Sequence, residues 1–225
     1  MEDQIRRFLI RLGTIALLGW ISFLLITTWS DRRHQQTAPI SLYQTISLNS
    51  LPNGALLFRR GKSTESDAVV MSKDGSKWSH VGLIASGANG ITVIHAVPAE
   101  EYGKPDVVKE DQLQYFLADE RAVDAAVMRV NGVDDKEAEA AVQAARRMIG
   151  MPFSIHPENK TTNGIYCTEL VLLAWQAAGI TLTELRDNVQ FPFFSGQYLL
   201  PDTLASSNWL RPAQLLQVTH QHSTD

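Results

Sequence analysis

The chain has 225 residues, 44% hydrophobic and 20% charged, enough for one domain with a full core plus a short appendage. A net charge of −4, with no run of five or more lysines and arginines, excludes the electrostatic footprint of a nucleic-acid binder. The single cysteine, Cys167, rules out an intrachain disulfide, and without CxxC or HExxH spacing the sequence calls for neither a metal nor a cofactor.

Residues 12–29 carry no charge, and this largely apolar stretch of 18 residues at about 1.5 Å each nearly matches a hydrocarbon core of about 30 Å. Arg6, Arg7 and Arg11 precede this stretch and Arg32 and Arg33 follow it, an excess that puts the N-terminus in the cytoplasm and exports the rest. No small-x-small cleavage site follows Trp29, so residues 1–29 read as a retained anchor rather than a cleaved signal. Residues 30–50, polar and containing Pro39, read as a tether.

The folded part is expected over 51–212, with 213–225 a polar, frayed tail. Residues 55–58 form a short apolar strand, ended by Arg59-Arg60-Gly61, and residues 63–71 a helix capped by Ser63 or Ser66. Residues 79–85 and 91–97 are two strands of a hairpin around Ser86-Gly87-Ala88-Asn89-Gly90. A helix is predicted over 110–118 and a strand over 125–130. The clearest helix follows, opened by Asp134 and Glu137 in a capping-box pattern. Its stripe is Ala138, Ala141, Val142, Ala145, Met148 and Ile149, and it stops at Gly150. A second begins near Cys167, buries Leu170, Val171, Ala174, Trp175 and Ala178, and stops at Gly179.

Behind an export signal, structural cysteines tend to come in pairs, so an unpaired thiol at a helix start is a candidate nucleophile; taken alone, it reads rather as a small buried hydrophobe, and the residues around it reverse that reading. A thiol attacks as thiolate, and a helix N-terminus and a neighbouring imidazolium both favour that form. A four-residue loop, Ser86 to Asn89, would pair Ala85 with Gly90 and set His80 directly opposite His95 on one sheet face. Cys167 then reads as nucleophile, His80 as base and His95 as the group that orients it, with backbone N–H groups at the helix start receiving the oxyanion. The chemistry is acyl transfer, most simply hydrolysis of an amide or ester. Tyr166, just before the nucleophile, is a candidate for the substrate cleft or an oxyanion donor, and reads equally well as packing. Glu169 reads as a helix-start charge, Trp78 and Trp175 as core, His156 as rim or surface, and His34, His220 and His222 as polar-end residues without a role.

Gly54-Ala55-Leu56-Leu57-Phe58-Arg59, Trp78-Ser79-His80-Val81-Gly82-Leu83, residues 91–96, Gly150-Met151-Pro152-Phe153, Tyr166-Cys167-Thr168-Glu169-Leu170-Val171 and Leu200-Pro201-Asp202-Thr203-Leu204-Ala205 resemble, in this order, the circularly permuted papain-like amidases. These form the YiiX/YaeF-like branch of the NlpC/P60 superfamily, related to lecithin-retinol acyltransferase. The resemblance covers roughly residues 51–212 and implies an α+β fold, a central antiparallel sheet packed by helices, here preceded by one transmembrane helix. It implies a Cys-His-polar triad that maps onto Cys167, His80 and His95. YiiX-like members often carry glutamate in the third position, whereas His95 is more like the acyltransferase relatives. An imidazole orients the base without a full negative charge. Glu100 and Glu101 lie beyond Pro98 and read as a solvated loop.

Three functions follow as expectations. The first is a cysteine hydrolase of amidase or peptidase type, held by its anchor in a bacterial inner membrane with the domain on the periplasmic side. It would act on a small peptide or amino-acid conjugate, such as cell-wall peptide. The second is a lipid-directed acyltransferase or thiol esterase acting on an acyl substrate, and the third a catalytically idle binding module of the same fold.

Overall fold

Short apolar runs separated by turn residues fold here into one antiparallel sheet, and the amphipathic segments between them cover it. The computed structural model describes residues 51–87, 90–98, 103–155, 164–191 and 194–216. The expected anchor (1–29) and tether (30–50), with Glu100, Glu101, His34, His156, His220 and His222, lie outside them. No helix among the described residues is long and apolar enough to cross a membrane.

In chain order the elements are β1 (Leu56–Gly61), α1 (Thr64–Met71), β2 (His80–Gly87), β3 (Gly90–Val97), β4 (Val107–Gln112), α2 (Leu113–Phe116), β5 (Ala122–Val130), α3 (Asp135–Arg147), α4 (Cys167–Ala177), β6 (Asp187–Phe191), β7 (Phe194–Tyr198), α5 (Pro201–Ala205) and β8 (Leu210–Leu216). Six strands form a sheet in the order β4-β3-β2-β1-β5-β8, and β6 and β7 make a separate hairpin. On one face Leu56, Phe58, Val81, Leu83, Ile94 and Ala96 pack against the buried stripes of α3 and α4. On the other, Leu57, Ile84, Val93 and Val127 pack against Leu113, Phe116 and Leu117. Burial on both faces explains why β1 and β2 read as nearly continuous apolar runs.

The helix readings hold at their caps. Asp134 accepts from the backbone of Lys136 and Glu137 while Glu137 reaches back to the Asp134 N–H, a complete capping box. Ser63 caps α1, and Gly150 and Gly179 follow α3 and α4 with φ of 87° each. Ile149 is the exception in its stripe: it lies past the end of α3 and is exposed.

Four expectations are corrected. β1 continues through Arg59, Arg60 and Gly61, and Arg59 is buried within it. Residues 107–112 are strand β4, not the start of a helix over 110–118, because they pair with β3 along their whole length; only 113–116 are helical. β8 carries on to Leu216, into the stretch expected as tail, as the neighbour of β5. The hairpin register also differs. Ser86 pairs with Ile91 and Gly87 with Gly90, which leaves only positions 88 and 89 between the strands and satisfies more backbone groups than the longer loop would. His80 is therefore not directly opposite His95. Continuing the ladder sets Gly82 across from His95, with His80 two residues farther along. A shift of two keeps both rings on one face, where a shift of one would have parted them.

Gly82 is what makes the diagonal workable. A Cβ there would lie 2.4 Å from Val93 Cγ1 and 3.2 Å from His95 Cβ. Gly82→Ala is thus expected to cost about 1–3 kcal/mol through overpacking. Urea unfolding measures it, and wild-type stability in that variant would mean that Val93 and His95 are not confined as described.

Candidate active site

His80 is the first residue of β2 and Cys167 the first residue of α4, and two sets of hydrogen bonds bring these ends together. The Asp202 carboxylate of α5 accepts from the backbone N–H groups of Lys77 and Trp78, both at 2.9 Å, fixing the turn that leads into His80. Around Cys167, Thr168 Oγ1 donates to the Leu199 carbonyl at 2.5 Å and the Leu199 N–H donates to Tyr166 Oη at 3.2 Å. The first turn of α4 is thereby clamped to the segment after β7. Trp78 and Trp175 are core, as expected.

A cavity of about 750 Å³ opens at this place, lined by His80, Cys167 and Tyr166 with Arg59, Phe153, Tyr198 and Leu199 among the other walls. His80 and Cys167 are nearly buried, and His95, fully buried, sits behind His80. His80 Nε2 lies 2.9 Å from His95 Nδ1, so that contact leaves the other ring nitrogen of His80, Nδ1, uncommitted to His95. Both rings pack on Phe116, His80 stacked at 5.6 Å between centroids and His95 edge-on at 5.0 Å. The predicted His80–His95 contact is therefore present, diagonal instead of direct, and Cys167 lines the same cavity as His80.

Two residues at the site were not read from the sequence. Arg59, opposite His80 in the β1–β2 ladder, donates to the Phe116 carbonyl at 2.8 Å and lies 4.4 Å over that ring. Its placement in an apolar strand after Phe58 was the available signal, hidden by the reading of Arg59-Arg60-Gly61 as a strand end. Asp111 accepts from His95 Nε2 at 2.9 Å. Its alternation with Lys109, which pairs with His95, marks the face, but only once 107–112 is known to be a strand beside β3. The charge that an imidazole in the third position lacks thus comes from β4, one strand farther out.

The electrostatics also correct an expectation. Burial pushes the Cys167 thiol up to about 11, although the backbone N–H groups of Val81, Thr168 and Cys167 itself, and the Arg59 charge, pull it down. Burial likewise holds His80 well below its ordinary 6.5, helped by the positive fields of Arg59, His95 and Lys109. The resting pair at neutral pH is a thiol and a neutral imidazole, not the thiolate and imidazolium that the helix start alone suggested, because desolvation penalises both charged forms. Asp111 is driven upward by burial, but hydrogen bonds from His95 and Lys109 outweigh this and leave its carboxyl below the ordinary range.

Tyr166 lines the cavity with its ring while its hydroxyl is turned to Leu199, and burial raises that hydroxyl to about 12. Burial raises Glu169, whose carboxylate is held by the Tyr166 N–H, which is the helix-start role expected of it. Among the described residues no group of three or more His, Cys, Asp or Glu side chains is placed to hold a metal ion.

A family model for permuted papain-like amidase enzymes, the YaeF/YiiX, C92 family, matches residues 50–199. Among solved structures, the chain is similar to the metalloprotein yiiX from Escherichia coli O157:H7, with a TM-score of 0.61 and 19% identity over 74% of this chain and 98% of that one. At that identity the likeness speaks for the fold alone. No curated protein matches the sequence.

The pH behaviour follows from the two shifts. Alkylation of Cys167 by iodoacetamide in the free protein is expected to keep rising with pH toward about 11. Turnover should lose activity on the acid side only below pH 6.5, as His80 takes up a proton at its lowered pKa. A labelling rate already at its plateau at pH 6 would contradict the neutral resting pair.

Proposed function

The chain belongs to the permuted papain-like amidase family of the YaeF/YiiX type, and on that premise we propose that it is a cysteine hydrolase that cleaves an amide bond with Cys167, His80 and His95. The observation that carries this is the cavity that presents Cys167 and His80 together, with the His80–His95 hydrogen bond behind them. His80 Nδ1 takes the thiol proton as Sγ attacks the carbonyl carbon, and the carbonyl oxygen becomes an oxyanion. Since both groups are neutral at rest, the proton moves as the C–S bond forms, not beforehand. Backbone N–H groups at the start of α4 receive the oxyanion. Collapse breaks the C–N bond, the amine leaves with the proton from His80, and a thioester remains. Water, its proton taken by the same nitrogen, then releases the acid and restores the thiol.

A small peptide or amino-acid conjugate, such as cell-wall peptide, is the substrate in this reading. A second reading, a lipid-directed acyltransferase or thiol esterase, draws support from the apolar side chains of Val69, Val97, Phe153 and Leu199 on the cavity wall. In both readings residues 12–29 anchor the chain once through the bacterial inner membrane and leave the domain on the periplasmic side. The support is the charge-free stretch and the arginine excess before it.

Against a fluorogenic peptide amide, Cys167→Ala is expected to lower kcat by at least about 10³-fold with the domain still folded, and His80→Ala nearly as much. His95→Ala, which removes an orienting group, should cost about 10–100-fold. Persistent turnover in Cys167→Ala would remove the mechanism, and turnover of an acyl ester with none of the amide would favour the second reading. Deleting residues 1–29 should release the domain from the membrane fraction; a deleted chain that still sediments with membranes would sink the anchor.

A further inference from the structure

Given the roles proposed for Cys167 and His80, we infer that Asp111 is a positioning residue that sets the direction of every proton in the row from β4 to the nucleophile. Three strands supply this row on one sheet face: His80 from β2, His95 from β3 and Asp111 from β4, each two residues off the directly paired position. Each step is a hydrogen bond of 2.9 Å, from His80 Nε2 to His95 Nδ1 and from His95 Nε2 to Asp111 Oδ2.

An ionised carboxylate only accepts, so His95 Nε2 must carry a proton. In the neutral ring Nδ1 is then bare and must accept, which puts a proton on His80 Nε2. His80 Nδ1 is left with its lone pair unprotonated, the state a base needs. Two imidazoles alone could pair with the opposite polarity, His95 Nδ1 donating to His80 Nε2, and the nitrogen facing the thiol would then already be protonated. His95 therefore transmits a choice that Asp111 makes.

The charges facing the two rings oppose one another. Arg59 from β1 and Lys109 from β4 disfavour a protonated ring, Asp111 favours it, and Cys167 from α4, which lines the same cavity as His80, is a neutral thiol. Lys109 Nζ lies 2.9 Å from the same Asp111 oxygen that His95 uses. It shares that acceptor and trims its charge. Lys109 and Asp111 should accordingly move the basicity of His80 in opposite directions.

The test compares the full-length chain with Asp111→Ala, Asp111→Asn and Lys109→Met, reading kcat and KM against pH and the ¹⁵N resonances of the histidine rings. Both rings of the wild type should show a protonated Nε2 and a bare Nδ1. Asp111→Ala should mix the two tautomers and lower kcat about 10–100-fold with KM little changed. Its acidic limb should move to lower pH, and that of Lys109→Met to higher pH. Asp111→Asn keeps the shape and an acceptor oxygen but not the charge, so it should fall between wild type and Asp111→Ala. Unchanged tautomers and an unmoved acidic limb in a folded Asp111→Ala would overturn the inference even with Cys167 and His80 catalytic. Because the ring spectra need no turnover, they decide the tautomers even if Cys167→Ala were to stay active and the catalytic reading were to fail.

Discussion

The hydrogen bond between His80 and His95 is the contact on which the site depends, because it joins the residue that faces the cavity to a buried polar row behind it. A buried imidazole without a partner is costly, and one with a partner on the wrong nitrogen is useless as a base. The bond exists through a register of the β2–β3 hairpin that offsets the rings by two residues and through a glycine that leaves room between them. The apolar face holding Phe116 then keeps both rings in place. Sheet geometry, turn length and the geometry of the candidate site are one constraint.

The second constraint is burial around the thiol. A helix start is often credited with making thiolate, and three backbone N–H groups do act in that sense at Cys167. They lose to desolvation here, since His80 is held neutral and supplies no countercharge. Cys167 and His80 are thus both held neutral, not paired as preformed ions. That is coherent with a polar row running back to a carboxylate, which steadies positive charge only when the proton arrives.

The clamp about Leu199 shows how local motifs serve this arrangement. Tyr166 and Thr168, on either side of Cys167, both commit a polar group to the backbone of Leu199 on the cavity wall. Asp202 does the same for the turn before His80. In the sequence these residues read as short family-like strings. In the structure they are the fasteners that hold two chain ends, far apart along the polymer, at one cavity.

The sequence by itself determined what depends on near neighbours. The capping box of Asp134 and Glu137, the glycine stops of the two long helices, the start of a helix at Cys167 and the sharing of one face by His80 and His95 all follow from periodicity and turn chemistry, which act over a few residues. The family-like strings added the order in which the site residues come. Tertiary structure decided the rest: that 107–112 pairs with β3 and brings Asp111 to His95, that Arg59 stays inside β1 beside His80, and that Cys167 is buried enough to hold its proton. Those outcomes turn on which strands become neighbours and on how much water is excluded, and both are sums over the whole fold that no local stretch of sequence contains.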